Sequence, residues 1–189
     1  MLDPILLQIA KSAILERFGS TALNKTALYE KYPFLKEERA VFVTLHKHKD
    51  LRGCIGSIIA HRTLLEDVIH NAQSAAFSDP RFGALRSDEL EALHLEVSVL
   101  TPPMLLEYED YANLMQKIRP KIDGLILKHG YHQGTFLPQV WEQLQSPENF
   151  LEHLAYKAGL SPDVYAHHPE IYAYQVDAIE EDFNAVRPL

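Results

Sequence analysis

The sequence is short of the features that define several classes of protein. It has one cysteine in 189 residues, so it forms no intrachain disulfide and does not read as a disulfide-stabilised secreted domain. No apolar run approaches the roughly 20 residues that a transmembrane helix needs. The N-terminal residues Met1–Pro4 lack the basic region of a signal peptide. We therefore expect a cytoplasmic protein with no membrane partner.

Positive charge is also scarce. The chain has 18 Lys and Arg residues against 26 Asp and Glu residues, which gives a net charge of −8 with neutral histidines. Affinity for nucleic acid rests largely on basic side chains that neutralise phosphates, so nucleic acid is a disfavoured partner. The common cofactor motifs are missing as well: there is no C-x-x-C, H-E-x-x-H, Walker lysine or G-x-G-x-x-G pattern. We expect no metal and no cofactor.

The apolar pattern of the remaining chain predicts an α+β protein. Helical spacing indicates a helix over residues 5–18 that Gly19 ends, and an amphipathic helix that Thr63 opens with Glu66 at the capping-box position. A further helix begins at Ser146 and is closed by Gly159. β-branched, aromatic and alternating segments predict strands over residues 40–45, 51–59, 94–100, 122–129, 132–137 and 170–176.

The predicted elements recur along the chain. The order strand, turn, strand, helix, helix, strand occurs twice, at a spacing of roughly 75–80 residues. This recurrence favours a single domain over residues 1–189 that contains two structural repeats, about 36–105 and 106–180. The alternative is that an α+β protein shows such alternation by chance. The short hairpin connections favour antiparallel pairing.

The segment Leu51–Gly56 (LRGCIG) is the most informative part of the sequence, because it contains the only cysteine. A structural cysteine usually lies among bulky apolar neighbours. Cys54 instead has Gly53 before it and Gly56 after it, and glycine lets a ligand or another backbone approach closely. Cys54 is therefore the candidate catalytic residue. The alternative is a packed strand cysteine whose glycine neighbours only allow tight sheet packing.

Arg52 precedes the cysteine by two residues and is predicted to share its face of the strand. A nearby cation favours the thiolate, which is the reactive form of cysteine. A nucleophilic cysteine also needs a base or a cation close to its sulfur. The sequence offers His46, His48 and His61 as bases and Arg81 as a cation, and does not decide between them.

Several segments of the chain resemble the AMMECR family, whose prokaryotic members are called AmmeMemoRadiSam system protein A. The match begins with the LRGCIG segment and extends, in the same order and spacing, over roughly residues 5–180. The other segments that carry the resemblance are Ser78–Phe82 (SDPRF), Glu96–Leu100 (EVSVL), Asp123–Leu125 (DGL) and Gly134–Trp141 (GTFLPQVW).

The resemblance implies more about fold than about activity. It implies two repeats related by a pseudo-dyad around a barrel-like, mainly antiparallel sheet flanked by helices. It also implies a cleft that contains the signature segment. The family name reflects association with a Memo-type protein and a radical S-adenosylmethionine (radical SAM) protein, which are the partners we expect. The family supplies no established reaction.

Two further residues become candidates for substrate binding. Arg81 lies in the turn Asp79–Arg81, where proline fixes the backbone and directs the flanking charges. Without the resemblance, a turn with an internal Asp–Arg pair explains this segment equally well; with it, Arg81 is expected to bind an anion or a carboxylate through paired hydrogen bonds. Ser98 can supply a hydroxyl from its strand.

Three hypotheses of function follow. The first is an enzyme, or a subunit of one, that uses Cys54 together with Arg52 and Arg81 on a small or peptide-like substrate, with Gly53 and Gly56 lining the site. The second is a non-catalytic module that binds a peptide, a nucleotide or a partner protein in the same cleft. The third is a subunit of an RNA or base modification system, which the negative charge disfavours.

Overall fold

The computed structural model describes all 189 residues, which divide into two compact units. The first unit comprises residues 1–100 and 177–189, and the second comprises residues 101–176. The five α-helices are α1 (Ile5–Glu16), α2 (Lys25–Lys31), α3 (Leu64–Phe77), α4 (Tyr111–Lys117) and α5 (Pro147–Lys157). The eight strands are β1 (Ala40–Lys47), β2 (Asp50–Gly56), β3 (Leu93–Leu100), β4 (Met104–Leu105), β5 (Gly124–His129), β6 (His132–Phe136), β7 (Glu170–Tyr174) and β8 (Val176–Asp182).

The first unit is built on a four-stranded sheet with the order β2-β1-β3-β8. Side chains alternate between the faces of a strand, and in β1 the residues Val41, Val43 and Leu45 are fully buried. They join the apolar sides of α1 and α3 in one core, so both helices cover the same face of the sheet. The opposite face, which carries Phe42 and Thr44 of β1, is only partly buried.

A buried lysine ties α1 to the last part of the chain. The ammonium group of Lys11 donates hydrogen bonds to the carbonyl oxygens of Phe183, at 2.6 Å, and Val186, at 2.8 Å. It also lies 4.7 Å from the centre of the Phe183 ring. Burial lowers the pKa of Lys11 because the charged form has lost water. This contact closes the core of the first unit.

The second unit has its own sheet, with the order β4-β7-β5-β6, and its own apolar core. Trp141 and Phe150 stack with their ring centres 3.9 Å apart at the middle of that core. The Trp141 indole N–H donates to the carbonyl of Asp123 at 2.7 Å, so its one polar group is satisfied. In both sheets, a hairpin is followed by a third strand that pairs with the first strand of the hairpin.

Local signals in the sequence located most elements. The Thr63 side chain accepts a hydrogen bond from the backbone N–H of Glu66, which confirms the predicted start of α3. Gly19 has a φ of 97° just after α1, and Gly159 has a φ of 77° after α5; both are conformations that glycine adopts without strain. The β1–β2 turn instead uses His48 and Lys49 at positive φ.

Two features of the expected fold need correction. The strands form two separate four-stranded antiparallel sheets, so the barrel-like single sheet implied by the resemblance is wrong. The first unit also includes β8, an acidic strand that apolar alternation did not predict. The pseudo-dyad and the repeat boundaries stay predictions. None of the helices combines the length and the apolar character needed to cross a bilayer.

Candidate functional site

Cys54 lies in the middle of β2, at one edge of the first sheet. Strand pairing sets it opposite Thr44 of β1, and the Cys54 Sγ atom lies 3.1 Å from the Thr44 Oγ1 atom. The preceding Gly53 faces α3, so alternation along the strand places the thiol on the opposite face of the sheet. We call that surface the thiol face. The Cys54 residue is half-buried there.

The backbone of Cys54 is held by the Asp79–Arg81 turn. An Asp79 carboxylate oxygen accepts a hydrogen bond from the Cys54 N–H at 2.9 Å, and Arg81 donates to the Cys54 carbonyl at 3.3 Å. Because β2 is an edge strand, these backbone groups have no neighbouring strand to bond to on that side. The turn therefore takes the place of a neighbouring strand at this one residue.

The Asp79–Arg81 pair stays charged over the whole physiological pH range. Asp79 is 3% exposed and accepts two hydrogen bonds from the Arg81 guanidinium, at 3.1 and 2.8 Å. The bonds from this guanidinium hold the pKa of Asp79 far below its ordinary value, and the N–H groups of Cys54 and Arg81 act in the same direction. The carboxylate in turn raises the pKa of Arg81, whose side chain remains more than half exposed.

Two residues that the sequence did not single out extend the site. Thr44 is paired with Cys54 on one side and with Glu96 of β3 on the other, so the three side chains form one row across β2, β1 and β3. We call Cys54, Thr44 and Glu96 the thiol row. Side chains directly opposite each other in such pairs have Cβ atoms about 5 Å apart. The signal for this row is the pairing register of β1, which the sequence of a single strand does not contain.

Ser98 lies on the thiol face, but its partner is Glu96 rather than the thiol. Its hydroxyl donates a hydrogen bond to a Glu96 carboxylate oxygen at 2.9 Å. In the register, Ser98 is opposite Phe42 and is therefore one row away from Cys54. The hydroxyl that was predicted as a substrate contact thus orients the carboxylate of the thiol row.

The thiol is protonated in this environment. Burial raises the pKa of Cys54, and the negative charges of Glu96 and Asp79 raise it further. The hydrogen bond from Thr44 and the charge of Arg81 act in the opposite direction and do not offset burial. The charge of Arg81 therefore does not bring the pKa of Cys54 below its ordinary value, and the reactivity of the thiol stays a prediction. A thiolate forms only when a proton acceptor removes the proton.

Arg52 does not accompany the thiol, because the register shifts next to it. Leu45 pairs with Gly53 while the following His46 pairs with Leu51, so Arg52 is the extra residue of a β-bulge. A bulge redirects the side chains around it, and the rule that residues two apart share a face fails there. The cation next to Cys54 is Arg81 instead.

The Arg52 guanidinium pairs with the buried carboxylate of Glu89. Two parallel hydrogen bonds of 2.9 and 3.0 Å join them, and Lys47 adds a third contact to Glu89 at 3.1 Å. Arg52, acting with the Arg86 N–H and Lys47, lowers the pKa of Glu89 to about 2. Arg52 is thus engaged in an internal ion pair that fixes the segment before β3. One of its terminal nitrogens, Nη1, is buried without a hydrogen-bond partner.

Both glycines of the signature segment have a packing role. A Cβ atom added at Gly53 would lie 2.0 Å from the carbonyl oxygen of Ala75 in α3, and one added at Gly56 would lie 2.2 Å from the Phe42 ring. Gly53 therefore lets α3 approach β2, and Gly56 makes room for an aromatic ring. Gly53 does not open the surroundings of the thiol, because it faces the helix. A role of either glycine in binding substrate stays a prediction.

The three candidate histidines do not bond to the thiol, whose partner is Thr44. His48 lies in the β1–β2 turn, and His61 contacts the carbonyl of Ile59 in an exposed loop. His46 lies on β1 opposite His94. No group of three or more His, Cys, Asp or Glu side chains in residues 1–189 is arranged to hold a metal ion.

Comparison with known proteins places this site among relatives whose names state no activity. A family model described as AMMECR1 matches residues 7–179. A protein of Methanothermobacter thermautotrophicus is 42% identical over 182 residues, which cover 94% of this chain and 93% of that protein. Protein MJ0810 of Methanocaldococcus jannaschii is 39% identical over 163 residues, or 84% of this chain and 81% of that protein.

A solved structure supports the fold as well. The crystal structure of the uncharacterized protein PH0010 from Pyrococcus horikoshii superimposes with a TM-score of 0.80 at 34% sequence identity. The match covers 98% of this chain and 96% of the other. The similarity thus extends over both units and includes the segment that contains the thiol row.

Proposed function

This chain belongs to the AMMECR1 family, and we propose that it is an enzyme, or a subunit of one, whose reacting group is the Cys54 thiol. The substrate we propose is a small or peptide-like molecule with an electrophilic carbon. The observation that carries this proposal is the number of polar groups that hold one cysteine. Thr44 bonds its sulfur, Asp79 accepts a hydrogen bond from its backbone N–H, and Arg81 donates one to its backbone carbonyl. A cysteine that only packs requires none of these contacts.

The proton acceptor in this proposal is Glu96. Its carboxylate belongs to the thiol row, is oriented by Ser98, and raises the pKa of Cys54 through its charge. Thr44 lies between Cys54 and Glu96 in that row and bonds the sulfur, so the proton that leaves the thiol passes the Thr44 hydroxyl on its way to the carboxylate, which acts as the base. The thiol proton moves to Glu96, and the sulfur electron pair forms a bond to the substrate carbon. The electron pair displaced from that carbon moves onto the leaving or carbonyl oxygen.

Arg81 is the group that we assign to substrate binding. Two of its nitrogens bond Asp79, which fixes the guanidinium plane, and the side chain is more than half exposed. Its remaining nitrogen, Nη1, is free to donate to a carboxylate or phosphate oxygen of a substrate. Arg52 does not share this role, because its guanidinium, which Glu89 binds in the same way, is only 13% exposed.

The alternative function is a non-catalytic binding module. It is favoured by one observation, the raised pKa of Cys54, because a neutral thiol is a poor nucleophile and a good small contact for a bound ligand. In that case, the thiol row and Arg81 bind a peptide, a nucleotide or a protein without chemistry at sulfur.

Mass spectrometry of the intact protein distinguishes these functions. The protein and its Cys54→Ala variant are incubated with fractions of a small-molecule cell extract and then alkylated with iodoacetamide. A mass increase already present before alkylation, which the variant lacks, supports a covalent step at sulfur. Protection from alkylation without a mass increase supports the binding module. If neither occurs in any fraction, both assignments of the thiol row are wrong.

The partners are a separate part of the proposal. We propose that the protein acts in the cytoplasm with a Memo-type protein and a radical SAM protein, as the resemblance implies. Co-expression of the three proteins with an affinity tag on this chain tests the association. Arg81→Gln should leave the association intact if Arg81 binds substrate, and should abolish it if Arg81 contacts a partner instead. Failure of all three to copurify would contradict the partner assignment.

A further inference from the structure

The second unit contains a cavity that is separate from the thiol row. It has a volume of about 450 Å³ and is lined by residues 105–108, which begin at β4, and by residues 168–171, which lead into β7. Cavities that bind small molecules fall in this size range and combine apolar walls with a few polar groups. Leu105, Leu106 and Ile171 supply the apolar walls here.

Two stacked rings form the aromatic part of the lining. The rings of Tyr108 and His168 lie 4.2 Å apart at an angle of 13°. The Tyr108 hydroxyl donates to the carbonyl of Pro169, and the His168 Nε2 atom lies 2.8 Å from the carbonyl of Tyr108. A carbonyl only accepts hydrogen bonds, so Nε2 carries the proton. These bonds fix both rings in place.

The backbone of His168 is left-handed, with φ 52° and ψ 59°, where it ends the 3-10 helix Pro162–His167. Glycine or asparagine is the usual residue at such a position, because a larger side chain strains the backbone. Strained residues of this kind are concentrated at binding and catalytic sites. The His168 ring is held in this conformation by its stacking on Tyr108 and its bond to the Tyr108 carbonyl.

The charged groups of the lining are both acidic. Glu107 and Glu170 are exposed and form no ion pair, although Glu170 accepts a hydrogen bond from the Tyr172 hydroxyl at 2.9 Å. Two lysines lie nearby, and Lys128 is directly opposite Glu170 in the β5–β7 register, but neither forms a salt bridge with the two carboxylates. Lys117 donates to the backbone carbonyl of Glu107, and Lys128 has its ammonium group 5.5 Å from the centre of the Tyr172 ring.

We propose that this cavity binds an organic ammonium ion with an apolar or aromatic body. The carboxylates of Glu107 and Glu170 attract the ammonium group, and the face of the exposed His168 ring that Tyr108 does not cover attracts it through a cation–π contact. The apolar walls bind the rest of the molecule. An anion of the same shape is repelled by both carboxylates, and a neutral analogue loses the attraction.

A titration followed by NMR spectroscopy of the full chain tests the proposal with three probes of similar shape: phenethylammonium, 2-phenylethanol and 3-phenylpropionate. We expect phenethylammonium to bind saturably with a Kd of about 1 mM or tighter, with shifts at residues 105–108 and 168–171. We expect binding of the alcohol to be roughly tenfold weaker and no binding of the carboxylate. Equal binding of ammonium and alcohol, shifts confined to other residues, or no saturation would each overturn the proposal.

Variants separate binding from folding. Glycine at residue 168 relieves the left-handed strain, so His168→Gly should stay folded while it loses affinity for phenethylammonium. Glu107→Gln combined with Glu170→Gln should lose most of the affinity, and Glu142→Gln, an exposed carboxylate of the same unit outside the cavity, should lose none. Unchanged affinity in the first two variants, or an equal loss in the control, would show that these groups do not form the site.

Discussion

The two hairpins of this chain are alike in construction and differ at one row of side chains. In the first sheet, Gly53 of β2 lets the backbone of α3 approach; in the second, Gly134 of β6 lies against the backbone of Ala158, just after α5. The residue after each glycine faces away from the helix. That residue is Cys54 in the first sheet and Thr135 in the second. The fold therefore accounts for the glycine in both sheets and requires no thiol.

The neighbours of these two residues differ in the same way. Cys54 is paired with Thr44 and, beyond it, Glu96, which gives a polar row. Thr135 is paired with Ile126, which is buried, and its hydroxyl donates to the carbonyl of Leu125. The second sheet thus shows what this architecture contains when the row has only a structural role.

A buried Asp that accepts two hydrogen bonds from the guanidinium of a nearby Arg also occurs once in each unit. Asp123 binds the Arg119 guanidinium as Asp79 binds that of Arg81, and each carboxylate is 3% exposed. The further partner of Asp123 is the side chain of Gln175, at 2.8 Å, whereas Asp79 holds the backbone of the cysteine. The pair is a recurrent structural device, and what is particular to the first unit is its position next to a thiol.

The largest effect that we predict concerns the glycine that both hairpins share, Gly53 in the first sheet and Gly134 in the second. Gly53→Ala places a Cβ atom 2.0 Å from a backbone oxygen, and Gly134→Ala places one 2.8 Å from a backbone nitrogen. Both should destabilise the protein, Gly53→Ala by about 3 kcal/mol or more and Gly134→Ala by roughly 1–2 kcal/mol. Urea unfolding measures both, with Gly83→Ala, which has open space around it, as the control. Equal stability of Gly53→Ala and the control would contradict the close approach of α3.

The second prediction concerns the Arg52–Glu89 pair, which only the first unit has. Glu89→Gln leaves the Arg52 charge without its partner and should cost on the order of 3 kcal/mol at neutral pH. The folded-state pKa of Glu89 is about 2, below its ordinary value of 4.5. Its contribution to stability is therefore full above pH 4.5 and is lost as the pH falls through about 2. The variant should accordingly show a weaker loss of stability in acid than the natural protein.

Each unit carries its own reporter for that measurement. Trp141 fluorescence reports the unfolding of the second unit. The reaction of the Cys54 thiol with a disulfide reagent that works in acid reports the unfolding of the first unit. We expect Glu89→Gln to change the Cys54 signal more than the Trp141 signal. An acid profile of the Cys54 signal that is identical in both proteins would show that Glu89 does not contribute as we infer.

The third prediction sharpens the difference between the two rows. Glu96 is a smaller cause of the raised pKa of Cys54 than burial, so Glu96→Gln should lower that pKa and modestly increase the rate of alkylation by iodoacetamide near neutral pH. Thr44→Val removes a hydrogen bond that lowers the pKa and should decrease that rate. A cysteine introduced by Thr135→Cys in a Cys54→Ala background gives the control, and its rate should not respond to Glu96→Gln. If Glu96→Gln changes the alkylation rate of a cysteine at residue 135, or leaves that of Cys54 unchanged, the two rows do not differ as we infer.

The smallest effect that we predict concerns His94, on β3 of the first sheet. Asp182 and Glu180 of β8 bond its two ring nitrogens at 2.9 and 3.2 Å and raise its pKa above 6.5. The stabilisation is full below pH 6.5 and is lost as the pH rises through the higher folded-state value. His94→Gln should therefore reduce the difference in Tm between pH 6 and pH 9. An unchanged difference would mean that this exposed contact adds nothing.

The sequence predicted those parts of the fold that depend on nearby residues. The cap at Thr63, the glycine after α1 and the alternation of β1 are local patterns, and the structure confirms them. The acidic strand β8 was missed because Ile179 is the one apolar side chain that it contributes to the first core. Pairing with β3, rather than its own composition, makes this segment a strand.

The candidate site was predicted only in part for the same reason. Cys54 was singled out by a local signal, an isolated cysteine between glycines, and Arg81 by the resemblance; the internal Asp–Arg pair, which was the alternative for that turn, is present as well. Glu96 was missed, because its place beside Thr44 depends on the register between β1 and β3. Arg52 was predicted to lie beside Cys54, whereas its guanidinium bonds Glu89. A one-residue bulge reverses the alternation of side chains along β2 and leaves no mark in the sequence.

The discontinuity of the first unit has a consequence for the order in which the chain can fold. The second unit is a continuous segment and is complete once residue 176 has been synthesised. The first unit still lacks β8, and the Lys11 ammonium lacks the carbonyls of Phe183 and Val186, which follow it by 172 and 175 residues. Until those residues leave the ribosome, Lys11 must keep its water and α1 cannot dock fully. The core of the first unit is thus completed only when residues 183 and 186 are in place, although that unit begins the chain.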